Sequence, residues 1–231
     1  MFMNSPSAPA PVSPLAGVIE RARQQQLSVG DLFQFAENFN ATGHRGEAAE
    51  LYKAWIAYND TNPLLHLVFF NYSVTLRQMG DLTGSIHALR AALKIEPSFG
   101  QAHINLGRAL EDAGLAGQAI EQWRSYAELT GDVTPDRINH KLMSLQHMGR
   151  VLENGGMLEQ AENTLWKAME LKPERTEAGQ HWTALRQRQC KFPTLVASEH
   201  VSMRNLLDAL SPLTLACYSD DPVFQLAKAY R

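Results

Sequence analysis

"LRQMGDLTGSIHAL", residues 76–89, sets a glycine, Gly80, between two stretches of apolar periodicity. The arrangement recurs in "FNATGHRGEAAELY" (39–52), "LEDAGLAGQAIEQW" (110–123) and "LENGGMLEQAENTL" (152–165), around Gly43, Gly114 and Gly156. The four glycines are 37, 34 and 42 residues apart. Five residues after each stands a small side chain: Ala48, Ser85, Ala119 or Ala161. Nine after stands a bulky one: Tyr52, Leu89, Trp123 or Leu165. Tyr72, Leu106 and Met148 lie eight before the last three glycines, each followed by Ser73, Gly107 or Gly149.

Each position has a task in a pair of antiparallel helices. Small residues let the two backbones approach, and bulky neighbours fill the space on either side. The glycine closes the first helix by taking a left-handed backbone without steric cost. A late proline, Pro97 or Pro173, stops the second helix. This pattern of about 34 residues resembles the tetratricopeptide repeat. It implies an all-α fold: a helical-hairpin solenoid winding as a right-handed superhelix, with capping helices at both ends. The expected division is a disordered tail over 1–14, a capping helix plus four repeats over 15–173, and a capping helix with a helical junction over 174–231. The repeats fall at about 28–63, 64–98, 99–133 and 134–173, with "DVTPDRIN" lengthening the last loop and the helix after it.

Composition narrows the function classes. The 231 residues carry a formal net charge of -3, so no general positive field recruits phosphate backbones, and nucleic acid is not an expected partner. No apolar run approaches the roughly 18 residues of a membrane span, and "MFMNSPSAPAPVSP" lacks the features of a leader. A cytoplasmic location is expected. Cys190 and Cys217 form no metal-ligand spacing and are read as free thiols. His140 and His147 are two helical turns apart, about 10 Å, too far to share one metal. "NGGM" (154–157) is a turn rather than a phosphate loop, and Asp220 and Asp221 before Pro222 form a helix cap. No catalytic motif occurs, so no catalytic residue, cofactor or metal is expected.

Recognition of protein remains. With the turn glycine as fifteenth residue, the sixth place of each repeat holds Gln34, Asn71, Asn105 and His147. Amides donate and accept at once, so a ladder of them suits a peptide backbone. Phe70, Val74, Arg77, Ile104, Arg108 and Glu111 lie further along the same expected wall. Phe33 and Glu37 stand where a lysine–asparagine clamp for a terminal carboxylate would need other residues. The expected peptide groove is therefore Gln34, Phe70, Asn71, Arg77, Asn105, Arg108 and His147. A homodimer is compatible with the stack.

After Pro173 a further helix, with Trp182 and Leu185 on one face, is expected to pack onto the last repeat as a half-repeat or cap. Beyond it the pattern predicts a short helix over 199–209, a turn at "SPLTLACYSDDP" (211–222) and a last helix over 221–231 that is under-packed in isolation. "HWTALRQRQCKFP" (181–193) followed by "SPLTLACYSDDPVFQLAKAYR" (211–231) resembles the junction in bacterial SPINDLY-like proteins, relatives of the O-linked N-acetylglucosamine transferases. There a helix ends in a cysteine, one residue and an aromatic, here Cys190, Lys191 and Phe192. The resemblance implies a substrate-binding arm whose nucleotide-sugar chemistry lies beyond Arg231. It also implies an asparagine ladder at Asn71 and Asn105, from which Gln34 and His147 depart. The alternative is a stand-alone scaffold or adaptor.

Overall fold

The computed structural model describes residues 14–132, 134–223 and 226, which are helical and carry no strand. The chain divides into two compact units, one ending at Ala102 and one starting at His103. The first contains α1 (Pro14–Arg23), α2 (Val29–Ala41), α3 (Arg45–Tyr58), α4 (Leu65–Gln78) and α5 (Leu82–Ile95). After α6 (Gly100–Asp112), which begins just before the division, come α7 (Ala116–Ala127), α8 (Pro135–Asn154), α9 (Leu158–Leu171), α10 (Thr176–Arg188), α11 (Met203–Ala209) and α12 (Pro212–Tyr218).

Two ways of ending a helix recur along the chain. Gly80 has φ 83°, its N–H bonds to the carbonyl of Arg77, and the next N–H, of Asp81, reaches back to Leu76. These two bonds satisfy carbonyls that a helix end otherwise leaves unpaired. The same pair of bonds, with φ between 75° and 85°, closes α2 at Gly43, α6 at Gly114 and α8 at Gly156. It also closes α1 at Gln25 (φ 57°) and α10 at Cys190 (φ 53°), where a side chain bears the strain that glycine avoids. Cys190 lies 34 residues after Gly156, so α10 stands in the register of a further first helix. By contrast, α5 and α9 end at Glu96 and Lys172, residues with negative φ outside the helical region that precede prolines.

The pairs pack where the sequence is small. A methyl group added to Gly107 of α6 would meet the Trp123 indole of α7 at 2.2 Å, and one on Gly149 of α8 would meet Leu165 of α9 at 2.7 Å. Ala48, Ser85, Ala119 and Ala161 are fully or almost fully buried. In the first unit, Val18 and Ala22 of α1 join Leu32, Ala36, Leu51, Tyr52 and Trp55 in one core. Trp55 Nε1 donates to the Leu27 carbonyl at 2.9 Å, and Asn59 Nδ2 donates to that of Ala22 at 3.2 Å, fastening α1 onto α3. In the second unit α8 runs for 20 residues from its N-cap, where Thr134 accepts a bond from the Arg137 N–H.

Trp182 and Leu185 of α10 are buried, and α10 packs on α9. Arg186 lies over Trp182, ion-pairs with Glu162, and donates to the carbonyls of Pro193 (2.8 Å) and Thr194 (2.9 Å). The segment "HWTALRQRQCKFP" is thus a first helix whose usual partner is replaced: α11 packs against α10, with Ala209 beside Gly179. Two expectations need correction. The turn expected over 211–222 contains α12, because Ser211 caps Thr214 and Pro212 suits a first helical turn. The helix expected over 199–209 begins only at Met203, behind a reciprocal Ser202–Asn205 cap. The expected helix over 221–231 lies largely outside the described residues, as does the tail of residues 1–13; Val223 and Leu226 are exposed.

Two pairs of substitutions test this account in thermal melts followed by circular dichroism. Gly107→Ala should destabilise the chain by about 1–3 kcal/mol through overpacking. Gly117→Ala, in a helix with open space around the added methyl, should be neutral or stabilise by roughly 0.5–1 kcal/mol. Cys190→Gly should stabilise by about 1 kcal/mol by relieving left-handed strain, while Gly80→Ala should cost about as much. Equal melting temperatures across either pair would contradict the packing or the closure.

Candidate functional site

The first helices of the repeats present a regular polar register. Gln34, Asn71, Asn105 and His147 all lie nine residues before their turn residue, and His181 holds the same place before Cys190. Sequence alignment on glycine passed over His181. Gln34 and Arg108 are exposed, and Phe70, Asn71, Arg77, Asn105 and His147 are half-buried. Ile104 is buried, its carbonyl accepting from Trp123 Nε1 at 3.3 Å, so it does not belong to the wall.

The amides are not equivalent. Asn71 Nδ2 donates within its own helix to the Leu67 carbonyl at 2.9 Å, leaving Oδ1 and one N–H for other use. Gln34 and Asn105 make no side-chain hydrogen bond among the described residues, so their full capacity is unspent. Phe70 packs on Phe99, with ring centroids 5.1 Å apart. His147 stacks on Trp123, centroids 5.1 Å apart and planes at 17°.

A second register, three residues before the turn, ties successive first helices together. In the first unit Asn40 Nδ2 of α2 donates to Thr75 Oγ1 of α4 at 3.2 Å. In the second, Glu111 of α6 accepts two bonds from Arg150 of α8, at 2.8 and 2.6 Å. Glu153 of α8 then accepts from His181 of α10 at 2.5 Å and from Arg188. Such two-pronged pairs fix geometry as well as adding attraction.

Charge and burial set the protonation of this wall. The hydrogen bond from Arg150 holds the Glu111 carboxyl below the usual carboxylate range, against the effect of burial. Burial pushes the His147 imidazole down, helped by the charges of Arg150 and Arg108 and opposed by Glu111. Among the described residues no group of three or more His, Cys, Asp or Glu side chains is placed to hold a metal. No helix among them is long and apolar enough to cross a membrane.

Both shifts favour the deprotonated form in the folded chain. Below about pH 6.5, the ordinary imidazole value, the unfolded chain takes up a proton that folded His147 does not, so stability falls until the lowered folded value is reached. The contribution of Glu111 is present above 4.5 and is lost as pH falls through its depressed folded value. Melting temperature measured against pH should therefore decline in two steps. His147→Phe, which keeps a ring on Trp123, should flatten the upper step, and Glu111→Gln should shrink the lower step while deepening the upper one, because the Glu111 charge no longer opposes the lowering of His147.

Comparison with known proteins agrees with the repeat geometry. Residues 67–99 match the family model described as tetratricopeptide repeat, and the chain contains a tetratricopeptide-repeat region. The small glutamine-rich tetratricopeptide repeat-containing protein 2 of Mycosarcoma maydis is 33% identical over 98 residues, 41% of this chain and 28% of that protein. The chain thus spans less than a third of that relative's length. A tetratricopeptide repeat protein from Parabacteroides merdae is similar in structure, with a TM-score of 0.57 at 15% identity over 91% of this chain and 76% of its own. YrrB, described as having an unusual peptide-binding site, has a TM-score of 0.54 at 13% identity over 96% of this chain and all of its own. MamA has a TM-score of 0.51 at 17% identity over 68% and 86%. At these identities the likeness is one of fold.

Proposed function

We propose that this chain is a protein-interaction module whose first-helix faces hold an extended segment of a partner protein. The groove residues are Gln34, Phe70, Asn71 and Arg77 in the first unit and Asn105, Arg108 and His147 in the second. The observation that carries this reading is the regular polar register nine residues before each turn, where Gln34 and Asn105 keep their hydrogen-bonding capacity unspent and Asn71 keeps half of it. A peptide backbone presents one donor and one acceptor per residue, which side-chain amides can meet without reading the peptide's sequence. Phe70 supplies an apolar contact beside Asn71. The module transfers nothing itself and works as a scaffold, in the cytoplasm.

A narrower reading makes the chain the substrate-selecting arm of a SPINDLY-like protein glycosyltransferase. Its support is the segment from His181 onward, where Cys190, Lys191 and the 84% exposed Phe192 follow the α10 helix. That reading requires a nucleotide-sugar-dependent transferase on the same polypeptide or in a stable complex with it. Affinity purification that yields a multiprotein assembly without such an activity would remove it and leave the scaffold.

The groove is tested with extended peptides selected from a random display library against the full chain. Replacing Asn71 and Asn105 together by alanine removes one or two hydrogen bonds each, so binding should weaken by about 1–3 kcal/mol, roughly 5- to 150-fold. Unchanged affinity in a double variant with an unchanged melting temperature would place peptide binding elsewhere.

A further inference from the structure

In the second unit two neighbouring first helices, α6 and α8, are held in register by two ties. Trp123 of α7 makes the first: it lies against Gly107 of α6, donates to the Ile104 carbonyl, and carries the His147 imidazole of α8 on its ring. The second is direct, where Glu111 of α6 takes both prongs of Arg150 of α8, at 2.8 and 2.6 Å. Arg108 stands between these ties along α6, one turn after Asn105 and one turn before Glu111. On α8, His147 stands one turn before Arg150. Residues one turn apart share a helix face, so Asn105 and Arg108 border the same strip of surface as His147.

What is left over on this strip is mostly donors. Arg150 and Glu111 answer each other, and Glu153 is taken by Arg188 and accepts from His181. The exposed Arg108 makes no ion pair or hydrogen bond among the described residues, so Asp112, one turn further along α6, does not neutralise it by contact. Its guanidinium fork is open. The ring nitrogens of His147 are likewise unbonded among the described residues, and a neutral imidazole has one N–H to give. The unspent Asn105 amide adds two N–H groups beside a single acceptor. The field at the ring has the same sign: burial, then the charges of Arg150 and Arg108, push the His147 imidazole down, and Glu111 opposes them.

We infer that this strip reads one acidic side chain of the bound peptide, a glutamate or aspartate whose carboxylate pairs with the Arg108 fork and accepts a further bond from His147 or Asn105. The inference rests on the reading of the first-helix face as a peptide groove, and it adds what the amides lack. They answer to any peptide backbone, whereas a guanidinium matches a planar carboxylate with two parallel N–H bonds. A lysine or arginine of the peptide at the same place meets Arg108 as a like charge, which selects against it. The Glu111–Arg150 pair keeps the second guanidinium out of this contact, so the preference depends on Arg108.

The test starts from a random peptide library panned on the full chain, the selected sequences being synthesised with amidated C-termini so that no terminal carboxylate competes. They should carry glutamate or aspartate at one aligned position. In calorimetric titration, replacing that acid by its amide should weaken binding to the wild-type chain about tenfold, and binding to Arg108→Gln by less than about twofold. Arg108→Glu should reverse the preference, with lysine at the aligned position binding about fivefold more tightly than glutamate. His147→Phe, which keeps a ring on Trp123, should cost the acidic peptide about threefold and its amide counterpart nothing. Because Arg108 is exposed and unbonded, its variants should melt with the wild type, which separates lost binding from lost fold. Equal affinity for acid and amide, an acid preference undiminished in Arg108→Gln, or a selected set without an acidic position overturns the inference. So does binding that returns only with a free C-terminal carboxylate, since the peptide's end would then be the anion. Peptides that lose affinity with Asn71→Ala in the first unit but ignore Arg108 remove this subsite and leave the groove. Failure to select any peptide removes both.

Discussion

Trp123 lies on the bare backbone of Gly107, so close that no methyl group fits between them. That approach governs much of the second unit. It buries the largest side chain of α7 completely, and it turns the indole N–H onto the Ile104 carbonyl. The outer face of the same ring becomes the platform on which His147 of the next helix stacks. Leu165 over Gly149 repeats the device one pair later. What the positions select is size rather than chemistry: Ser85 fills a place held elsewhere by alanine, and its buried Oγ has no hydrogen-bond partner. Serine meets the size limit as alanine does, at the cost of one unpaired hydroxyl.

The repeat period was legible because glycine reports a backbone conformation as well as an identity. Gly43, Gly80, Gly114 and Gly156 could be aligned by eye, and all four have positive φ. Gln25 and Cys190 adopt the same conformation and make the same two bonds, yet nothing in their side chains announces it. From the sequence the helix after Pro173 reads as a half-repeat or cap, and in the structure α10 keeps the first-helix register up to its turn at Cys190. The miss at α12 has a different origin. Serine followed by proline favours a turn and a helix start alike, and only the bond from the Thr214 N–H to Ser211 decides between them.

The candidate wall was legible in part. Spacing from the turn located Gln34, Asn71, Asn105 and His147 correctly along their helices, since position on a helix follows from register alone. What register does not reveal is how much of each side chain is already spent. Asn71 bonds within its own helix, and Ile104, the residue just before Asn105 on α6, is buried in the core.

The two units tie their first helices by different chemistry, and this has consequences for how each responds to solution conditions. In the first unit the link is a neutral bond between Asn40 and Thr75, set beside a core of tilted aromatic rings at Phe33, Tyr52 and Tyr72. In the second, Glu111 with Arg150 and Glu153 with Arg188 are ion pairs with partly exposed members, and Glu153 also accepts a hydrogen bond from His181. Exposed pairs contribute little in isolation and are weakened by salt. Here, however, each shares its helix face with groups proposed to contact a partner, so a change in their protonation alters the charge that the partner meets as well as the link between repeats. If the proposed groove holds a partner, the pH dependence of that binding would come mainly from His147 and Glu111 of the second unit, while Arg77 and Arg108 would give each unit a salt-dependent contact.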